Sequence, residues 1–483
     1  MTIKRYTATT DTTITNAYKI NMVDRGTGAN MGASDTMEVF SIYAQAASSS
    51  AESARSLVRF STTDIASDRS SELIPASASV SFYLRMFNAE HAQTTPRNFS
   101  LTIAAVSRSW SEGIGLDMEG YTDLDIANWV TASSGSGGPV LWSTEGGDYW
   151  SDNSSSFDVE FDSGVEDLEV DITDLVEQWL ASTKNNYGVG VSLSGSHESE
   201  AKSYYTKRFF GRGSEYFFKR PIIEARWDST IKDNRGNFFI SSSLASPADN
   251  LNTLYLYNHV GGQLKNIPGV DTGKIYVKLF TSGANGEVFS PSGSGSLAVV
   301  DSAVTGGFVS TGVYSASFAL DTTASIVYDR WYSGSNEIGT VLHTSSFLVE
   351  SKGLPDTSPH SDYVSNITNL KSIYSPDESA RFRVFTRKKQ WNPTIYTKSS
   401  TAIPVSFVED GYYKIFRIVD NKDIITYGTG SSYHTKLSYD VSGSYFDLDI
   451  SMLEAGYAYG IKLLYNINNS YWEQSEDFKF RVE

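Results

Sequence analysis

The chain has 483 residues, of which 40% are hydrophobic and 13% aromatic, so it is long enough to bury several cores, and its length suggests roughly two to four domains. Its 39 basic and 56 acidic residues give a formal net charge of -17, which argues against nucleic acid as a partner because phosphate backbones would be repelled. With no cysteine, disulfides, thiolate metal sites and cysteine nucleophiles are excluded.

No stretch is apolar for long enough to suggest a membrane span, and the first residues contain no apolar core of a signal peptide. We therefore expect a protein without a membrane association that is made in a reducing cytoplasm. If the protein acts outside the cell, it needs a route out that does not depend on a signal peptide.

The first 228 residues read mainly as short strands with polar connections. The stretches 11–14, 37–42, 55–60, 80–86 and 103–106 are read as strands because they resemble strands of a known family, which is named below. The polar stretch 61–73 predicts a connection, and the Gly- and Ser-rich stretch 131–138 predicts a flexible loop.

Residues 168–193 read as a strand, one short helix and a second strand. Leu168, Val170 and Ile172 alternate with acidic residues, and residues 189–193 alternate again. Between them, four apolar residues lie at helical spacing on one face: Leu175, Val176, Trp179 and Leu180. We expect this helix to lie across the end of a sheet with Trp179 as its anchor.

These segments, in this order, resemble the DNRLRE family of β-sandwich modules, which are similar to carbohydrate-binding jelly rolls. The resemblance covers about the first 225 residues and rests most clearly on Arg55-Ser-Leu-Val-Arg-Phe60, on Ser109-Trp-Ser-Glu112 and on Trp129, Trp142 and Trp179. It implies a jelly-roll-like sandwich with one short helix for residues 1–228. It implies little about activity, because one fold hosts many functions.

Two further regions, 237–350 and 362–483, predict β-sandwiches of the immunoglobulin-like kind, because strand patterns recur in them between Gly- and Ser-rich turns. The Pro-containing stretch 351–361 predicts a linker. The predicted fold class is therefore all-β, with an N-terminal jelly-roll-like sandwich followed by two Ig-like sandwiches.

The segment from Lys422 to Leu448 is similar to C-terminal segments of virion structural proteins from tailed phages, especially large myoviruses of marine bacteria and cyanobacteria. The similarity attaches no site to any residue. It implies other virion structural proteins as partners, in a symmetric oligomeric assembly.

No local motif selects a catalytic site, since HExxH, GxSxG and Walker A patterns are missing. We predict no catalytic residue, no cofactor and no metal ligand. The acidic residues of one stretch could hold a structural calcium ion, although a solvated loop is the simpler interpretation: Asp117, Glu119, Asp123 and Asp125.

Aromatic residues are the best candidates for a binding surface, because sugar rings and protein partners both pack on them. Trp110 and Trp179 suit the core. Trp142, Tyr149 and Trp150 lie among Ser, Gly and Asp, so we expect Trp142 and Trp150 to be the more exposed and name all three as candidate contacts to a glycan or a partner.

Together these observations predict a non-enzymatic structural component of a tailed-phage virion, in the neck, tail or baseplate, made in the host cytoplasm and located in the virion. The alternative is an extracellular or virion-surface carbohydrate-binding protein, with a host surface glycan as its ligand. Neither function involves nucleic acid or a membrane.

Overall fold

A computed structural model describes residues 2–121, 126–283, 286–291, 299–300, 303–334, 339–351, 363–389, 391, 394–395 and 405–483. The chain is 45% strand and 8% helix, which confirms the predicted all-β, multi-sandwich class. Within the described ranges, no helix is long and apolar enough to cross a lipid bilayer.

The chain divides into two compact units. The first unit combines Met1–Asp228 with Gly430–His434 and Ser451–Glu454, and the second contains Ser229–Thr429, Thr435–Ile450 and Ala455–Glu483. The boundaries that we predicted within the second unit stay a prediction.

The first unit is built from twelve described strands. They are β1 (Ile3–Thr15), β2 (Thr36–Tyr43), β3 (Ala51–Phe60), β4 (Ser81–Met86), β5 (Phe99–Ala105), β6 (Thr131–Gly135), β7 (Gly138–Leu141), β8 (Ser156–Phe161), β9 (Leu168–Asp171), β10 (Val189–Leu193), β11 (Tyr204–Phe210) and β12 (Ile222–Arg226). All of them except β6 and β7 belong to one hydrogen-bonded sheet, in the order β8-β5-β10-β3-β1-β12-β4-β9, with β2 beside β3 and β11 beside β2.

Strand β1 joins the two layers of this sandwich. Its residues 3–7 pair with β12, and its residues 8–15 pair with β3. The register shifts between Ala8 and Thr10, and such a β-bulge bends a strand and increases its twist. One long strand therefore continues from one layer into the other.

The main core lies between the layers. The alternating pattern of β4 buries Phe82, Leu84 and Met86, and β5 and β10 supply side chains to the same cluster. Val58 and Phe60 of β3 point into it as well. The alternation of inward-facing and outward-facing residues along these strands therefore fills the core.

The prediction of one short helix is wrong in number, because the described part of this unit contains three: α1 (Thr62–Ser70), α2 (Thr173–Leu180) and α3 (Gly195–Glu198). The predicted helix is α2, and it buries Leu175, Val176 and Trp179 in the main core as expected.

Helix α1 replaces the polar connection that we predicted for residues 61–73. Ile65 is fully buried in the core, and Arg69 donates two hydrogen bonds to Glu177 of α2, at 2.8 and 2.6 Å. With Ile65 as the only large apolar side chain among its nine residues, α1 has almost no amphipathic pattern, so tertiary contacts account for this helix.

Ten strands follow in the described part of the second unit. They are β13 (Phe238–Phe239), β14 (Asn252–Tyr257), β15 (His259–Val260), β16 (Gln263–Leu264), β17 (Lys274–Phe280), β18 (Val299–Val300), β19 (Ala303–Ser310), β20 (Val313–Phe318), β21 (Ile326–Tyr332) and β22 (Val341–Glu350). Eight of them form a sheet in the order β13-β22-β21-β17-β19-β20-β14, with β18 beside β19. Its core contains Phe238, Tyr314 and Trp331.

The ten strands described after residue 362 form two sheets. They are β23 (Tyr363–Ile367), β24 (Ile373–Tyr374), β25 (Ser379–Lys388), β26 (Gly411–Arg417), β27 (Lys422–Ile425), β28 (Ser438–Asp440), β29 (Gly443–Asp449), β30 (Ala458–Ile467), β31 (Ser470–Glu473) and β32 (Phe478–Val482). The orders are β23-β25-β29-β28 and β24-β32-β30-β26-β27, with β31 beside β30.

Aromatic pairs join these two sheets face to face. The rings of Tyr413 on β26 and Phe446 on β29 stack with 4.0 Å between their centroids. The hydroxyl groups of Tyr465 on β30 and Ser365 on β23 lie 2.7 Å apart. These contacts between inner faces are those of a β-sandwich.

Candidate functional site: the aromatic cluster of residues 106–150

The segment between β5 and β8 forms a second, smaller core on the outer side of the first unit's sheet. Leu57 points away from the main core because its neighbour Val58 points into it. The buried members of this cluster are Ile14, Leu57, Val106, Trp110, Ala127, Trp129, Ala132 and Trp142. We call these residues, with the half-buried Tyr149, the aromatic cluster.

Trp110 is a core residue, as we predicted. It is 2% exposed, and its indole Nε1 donates a hydrogen bond to the Tyr187 carbonyl at 2.7 Å. The Arg59 guanidinium lies 5.4 Å from the ring centroid. The ring therefore ties the loop to β3 and to the segment before β10.

Trp142 does not have the exposed ring that we predicted. It is 5% exposed, and its Nε1 donates to the Asn128 carbonyl at 2.9 Å. The stretch 131–138, predicted to be a flexible loop, contains β6, the turn of the β6–β7 hairpin and the first residue of β7. This hairpin places Trp142 in the cluster. Trp142 is thus a structural residue and offers no ring face to a ligand.

Tyr149 is also held by structural contacts. Its hydroxyl donates to the Gly146 carbonyl at 2.9 Å, and its ring lies so close to β10 that a Cβ at Gly190 would come within 2.1 Å of it. Burial raises the pKa of the Tyr149 hydroxyl to about 12. A glycine in β10 is thus what allows the ring to lie on the sheet.

Arg55 fixes the rim of the aromatic cluster and was not identified as a site residue from the sequence. Its guanidinium lies 5.1 Å from the Trp129 ring centroid, and its Nη1 donates to the Gly146 carbonyl at 2.9 Å. Two further bonds, of 2.9 and 2.7 Å, join it to Glu198 of α3. A bidentate pair of this kind orients both side chains.

Trp150 is the candidate whose ring stays accessible, with 42% of its surface exposed. The Lys184 Nζ lies 4.9 Å from its ring centroid, and the same atom is 2.7 Å from Asp152 Oδ2. Sequence reasoning missed Lys184, because nothing local connects it to Trp150. It also missed Asp152, which lies two residues after Trp150 but becomes part of the surface only through its contact with Lys184. Aromatic, cationic and anionic groups together form a small mixed surface, which we call the Trp150 patch.

The acidic stretch predicted as a possible calcium site is only partly described. Asp117 Oδ1 accepts hydrogen bonds from the backbone N–H groups of Glu119 and Gly120, each at 2.8 Å. Glu119 Oε1 accepts from the Ile20 N–H at 2.6 Å, and Asp123 and Asp125 lie outside the described residues. In the described part of the chain, no three His, Asp or Glu residues are grouped to hold a metal ion.

No family model matches this chain, and a search of the curated proteins gives no match. The resemblances to DNRLRE modules and to virion proteins therefore stay predictions.

Proposed function

We propose that this chain is a non-enzymatic structural component of a tailed-phage virion, in the neck, tail or baseplate region. It acts through protein–protein contacts made by its β-sandwiches with other virion proteins in a symmetric assembly. The chain is made in the host cytoplasm and becomes part of the particle.

The observation that supports this proposal most is the distribution of strands over several sheets that keep exposed edges. All four residues of β31 are exposed, and the ten residues of β22 are mostly exposed. Edge strands are ready to pair with another chain, and repeated weak contacts add up in a symmetric assembly.

Purified phage particles test the proposal. We expect mass spectrometry to detect the chain in particles that survive a density gradient, and cryo-electron microscopy to find it at a symmetric position in the neck, tail or baseplate. A chain that is expressed during infection and is missing from intact particles would contradict the proposal.

The Trp150 patch supports a second candidate function, carbohydrate binding at the surface of the virion or outside a cell. An exposed indole with a cation and a carboxylate beside it can stack on a sugar ring and bond its hydroxyl groups. We expect Trp150→Ala to abolish binding on a glycan array. The matched control is Trp472→Ala, because Trp472 is 44% exposed in the second unit. Wild-type protein that binds no glycan would rule this function out.

A further inference from the structure

Lys207 is a lysine buried beside the main core of the first unit. It lies on β11 and is 1% exposed, and Phe209, two residues further along the same strand, is a fully buried member of that core. The Lys207 Nζ lies 5.0 Å from the ring centroid of Phe161 and 4.9 Å from that of Phe209. Lysine is almost never buried so completely unless its charge is paired, because its ammonium loses hydration there.

The hydrogen-bond partners of this ammonium are uncharged. Nζ donates to Asn88 Oδ1 at 2.7 Å, to the Gly164 carbonyl at 2.9 Å and to the Glu166 carbonyl at 2.7 Å. In the part of the chain that the structure describes, none of its hydrogen bonds reaches a carboxylate oxygen. Burial lowers the pKa of Lys207 to about 8, so a fraction of these side chains is the neutral, nucleophilic amine at neutral pH.

The Asn88 carboxamide is held against this amine by the sheet. Asn88 follows β4 and forms a bridge with Phe209, and two backbone hydrogen bonds of 3.0 Å fix the segment 87–89 along β11. The Asn88 N–H also donates to Asp167 Oδ1 at 2.8 Å. An amine and a carboxamide that are fixed in contact react as one molecule, which replaces a high concentration of either group.

A carboxylate with spare hydrogen-bonding capacity belongs to the same place. Glu166, whose backbone carbonyl already bonds Nζ, has one carboxylate oxygen that accepts from the Ser163 N–H at 2.6 Å. Its other oxygen, Oε2, is buried and has no hydrogen-bond partner among the described residues. Such a carboxylate can carry a proton between two nitrogen atoms, which the exchange of one amide for another requires.

We propose that Lys207 and Asn88 form an intramolecular isopeptide bond, an amide between their side chains. The neutral Nζ attacks Cγ of Asn88, the Nζ–Cγ bond forms and the Cγ–Nδ2 bond breaks. One Nζ proton passes through the Glu166 carboxylate to Nδ2, which leaves as ammonia. One amine and one primary amide thus become one secondary amide and one ammonia, with no other reactant.

The product removes the cost of the buried charge, because a neutral amide replaces the ammonium between the two phenylalanine rings. It also links β11 covalently to the segment after β4, across 119 positions of the sequence. The inference goes beyond the virion proposal and does not depend on it, since the reaction needs only the folded chain. A chain that forms the bond without entering any particle would contradict the proposed function alone.

The first test is the intact mass of the full chain, measured by mass spectrometry under denaturing conditions after incubation at about pH 8. We expect the wild-type chain to be lighter than its sequence by one ammonia molecule, and a tryptic digest to contain a branched peptide that joins the segments of Asn88 and Lys207. Lys207→Arg should have its full mass. Lys184→Arg, at the Trp150 patch, is the control and should still lose ammonia. A wild-type chain of full mass, with Lys207 and Asn88 in separate peptides, would overturn the proposal.

The second test changes the reacting groups one at a time, with circular dichroism to verify that each variant is folded. Asn88→Asp exchanges the leaving group, so the mass lost should become that of one water molecule, and Asn88→Ala should lose nothing. Glu166→Gln should slow the reaction about a hundredfold, because the carboxylate that carries the proton is gone. A folded Asn88→Ala chain that still loses ammonia would overturn the assignment of the bond, and a Glu166→Gln chain that reacts at the wild-type rate would overturn the role of Glu166.

Discussion

At the residue scale, two tryptophans that lie close together in the sequence have opposite roles. Trp142 is surrounded by the buried residues of the aromatic cluster and donates a hydrogen bond to Asn128. Trp150 keeps an open ring beside Lys184. Substitutions at the two positions should therefore report on different properties of the protein.

We expect Trp142→Ala to lower the free energy of unfolding by about 3–5 kcal/mol, because it leaves a large cavity. Trp150→Ala should change it by no more than about 1 kcal/mol, because the ring is half exposed. Chemical denaturation of both variants measures the difference. Equal losses of stability would show that Trp150 is a structural residue too.

A buried carboxylate gives the first unit a dependence on pH. Asp11 is 2% exposed, its Oδ2 accepts a hydrogen bond from the Arg212 N–H at 2.5 Å, and the Glu112 carboxylate bonds the Asp11 N–H at 2.6 Å. Burial, with a contribution from Glu112, raises the pKa of Asp11 to about 6. The folded state therefore holds a proton at a pH where the unfolded chain has lost it.

Because the folded pKa lies above the unfolded value of about 3.9, the stabilisation is present in full below about pH 4 and is lost as the pH rises through about 6. Relative to Asp11→Asn, wild-type protein should gain about 1–3 kcal/mol of unfolding free energy between pH 7 and pH 4. Urea denaturation at both pH values measures this, with the exposed Asp162→Asn as control. A variant with the pH profile of the wild type would contradict the assignment.

At the element scale, an ion pair fixes a 3-10 helix of the second unit to its sheet. Arg235, in the helix Asn234–Gly236, donates two hydrogen bonds of 2.9 and 2.7 Å to Asp329 of β21. Asp329 is fully buried and also accepts from the Trp331 indole at 2.7 Å. Both partners, the Arg235 guanidinium and the Trp331 indole, need this carboxylate as their hydrogen-bond acceptor.

We expect Asp329→Ala to cost about 3–5 kcal/mol of unfolding free energy, because it leaves a buried guanidinium without its counter-ion. The matched control is Asp447→Ala, which breaks a similar two-bond pair with Arg381 on an exposed sheet face. That change should cost no more than about 1 kcal/mol. Similar costs for the two variants would contradict the role of burial.

At the scale of the whole molecule, the two units have separate hydrophobic cores. Trp179 belongs to the core of the first unit, and Trp331 belongs to a core of the second. Each core is formed by strands of its own unit, so each unit has its own source of cooperativity.

We expect differential scanning calorimetry to resolve two unfolding transitions. Trp179→Ala should lower the midpoint of one transition, and Asp329→Ala should lower that of the other. Asp174→Ala, at an exposed position of the same helix as Trp179, is the control and should leave both midpoints nearly unchanged. A single transition that both substitutions shift equally would contradict the expectation.

The local patterns of the sequence were sufficient for the all-β class, for most strands and for the helix of Trp179. Alternation and helical spacing are read from neighbouring residues, and burial of Phe82, Leu84 and Trp179 follows from them. The burial of a tryptophan in a polar loop does not follow from such local patterns. Trp142 is buried because Ile14 and Leu57, which are distant in the sequence, lie on the outer face of the sheet. Trp150 contacts Lys184 only because the segment between α2 and β10 lies beside it in the folded chain.

The helix α1 and the β6–β7 hairpin were likewise decided by tertiary structure. Each depends on what lies beside it: the main core for Ile65 of α1 and the aromatic cluster for Ala132 of β6. Pairing and coverage are properties of the assembled sheet, because hydrogen bonds and apolar contacts between strands join residues that are remote in the chain.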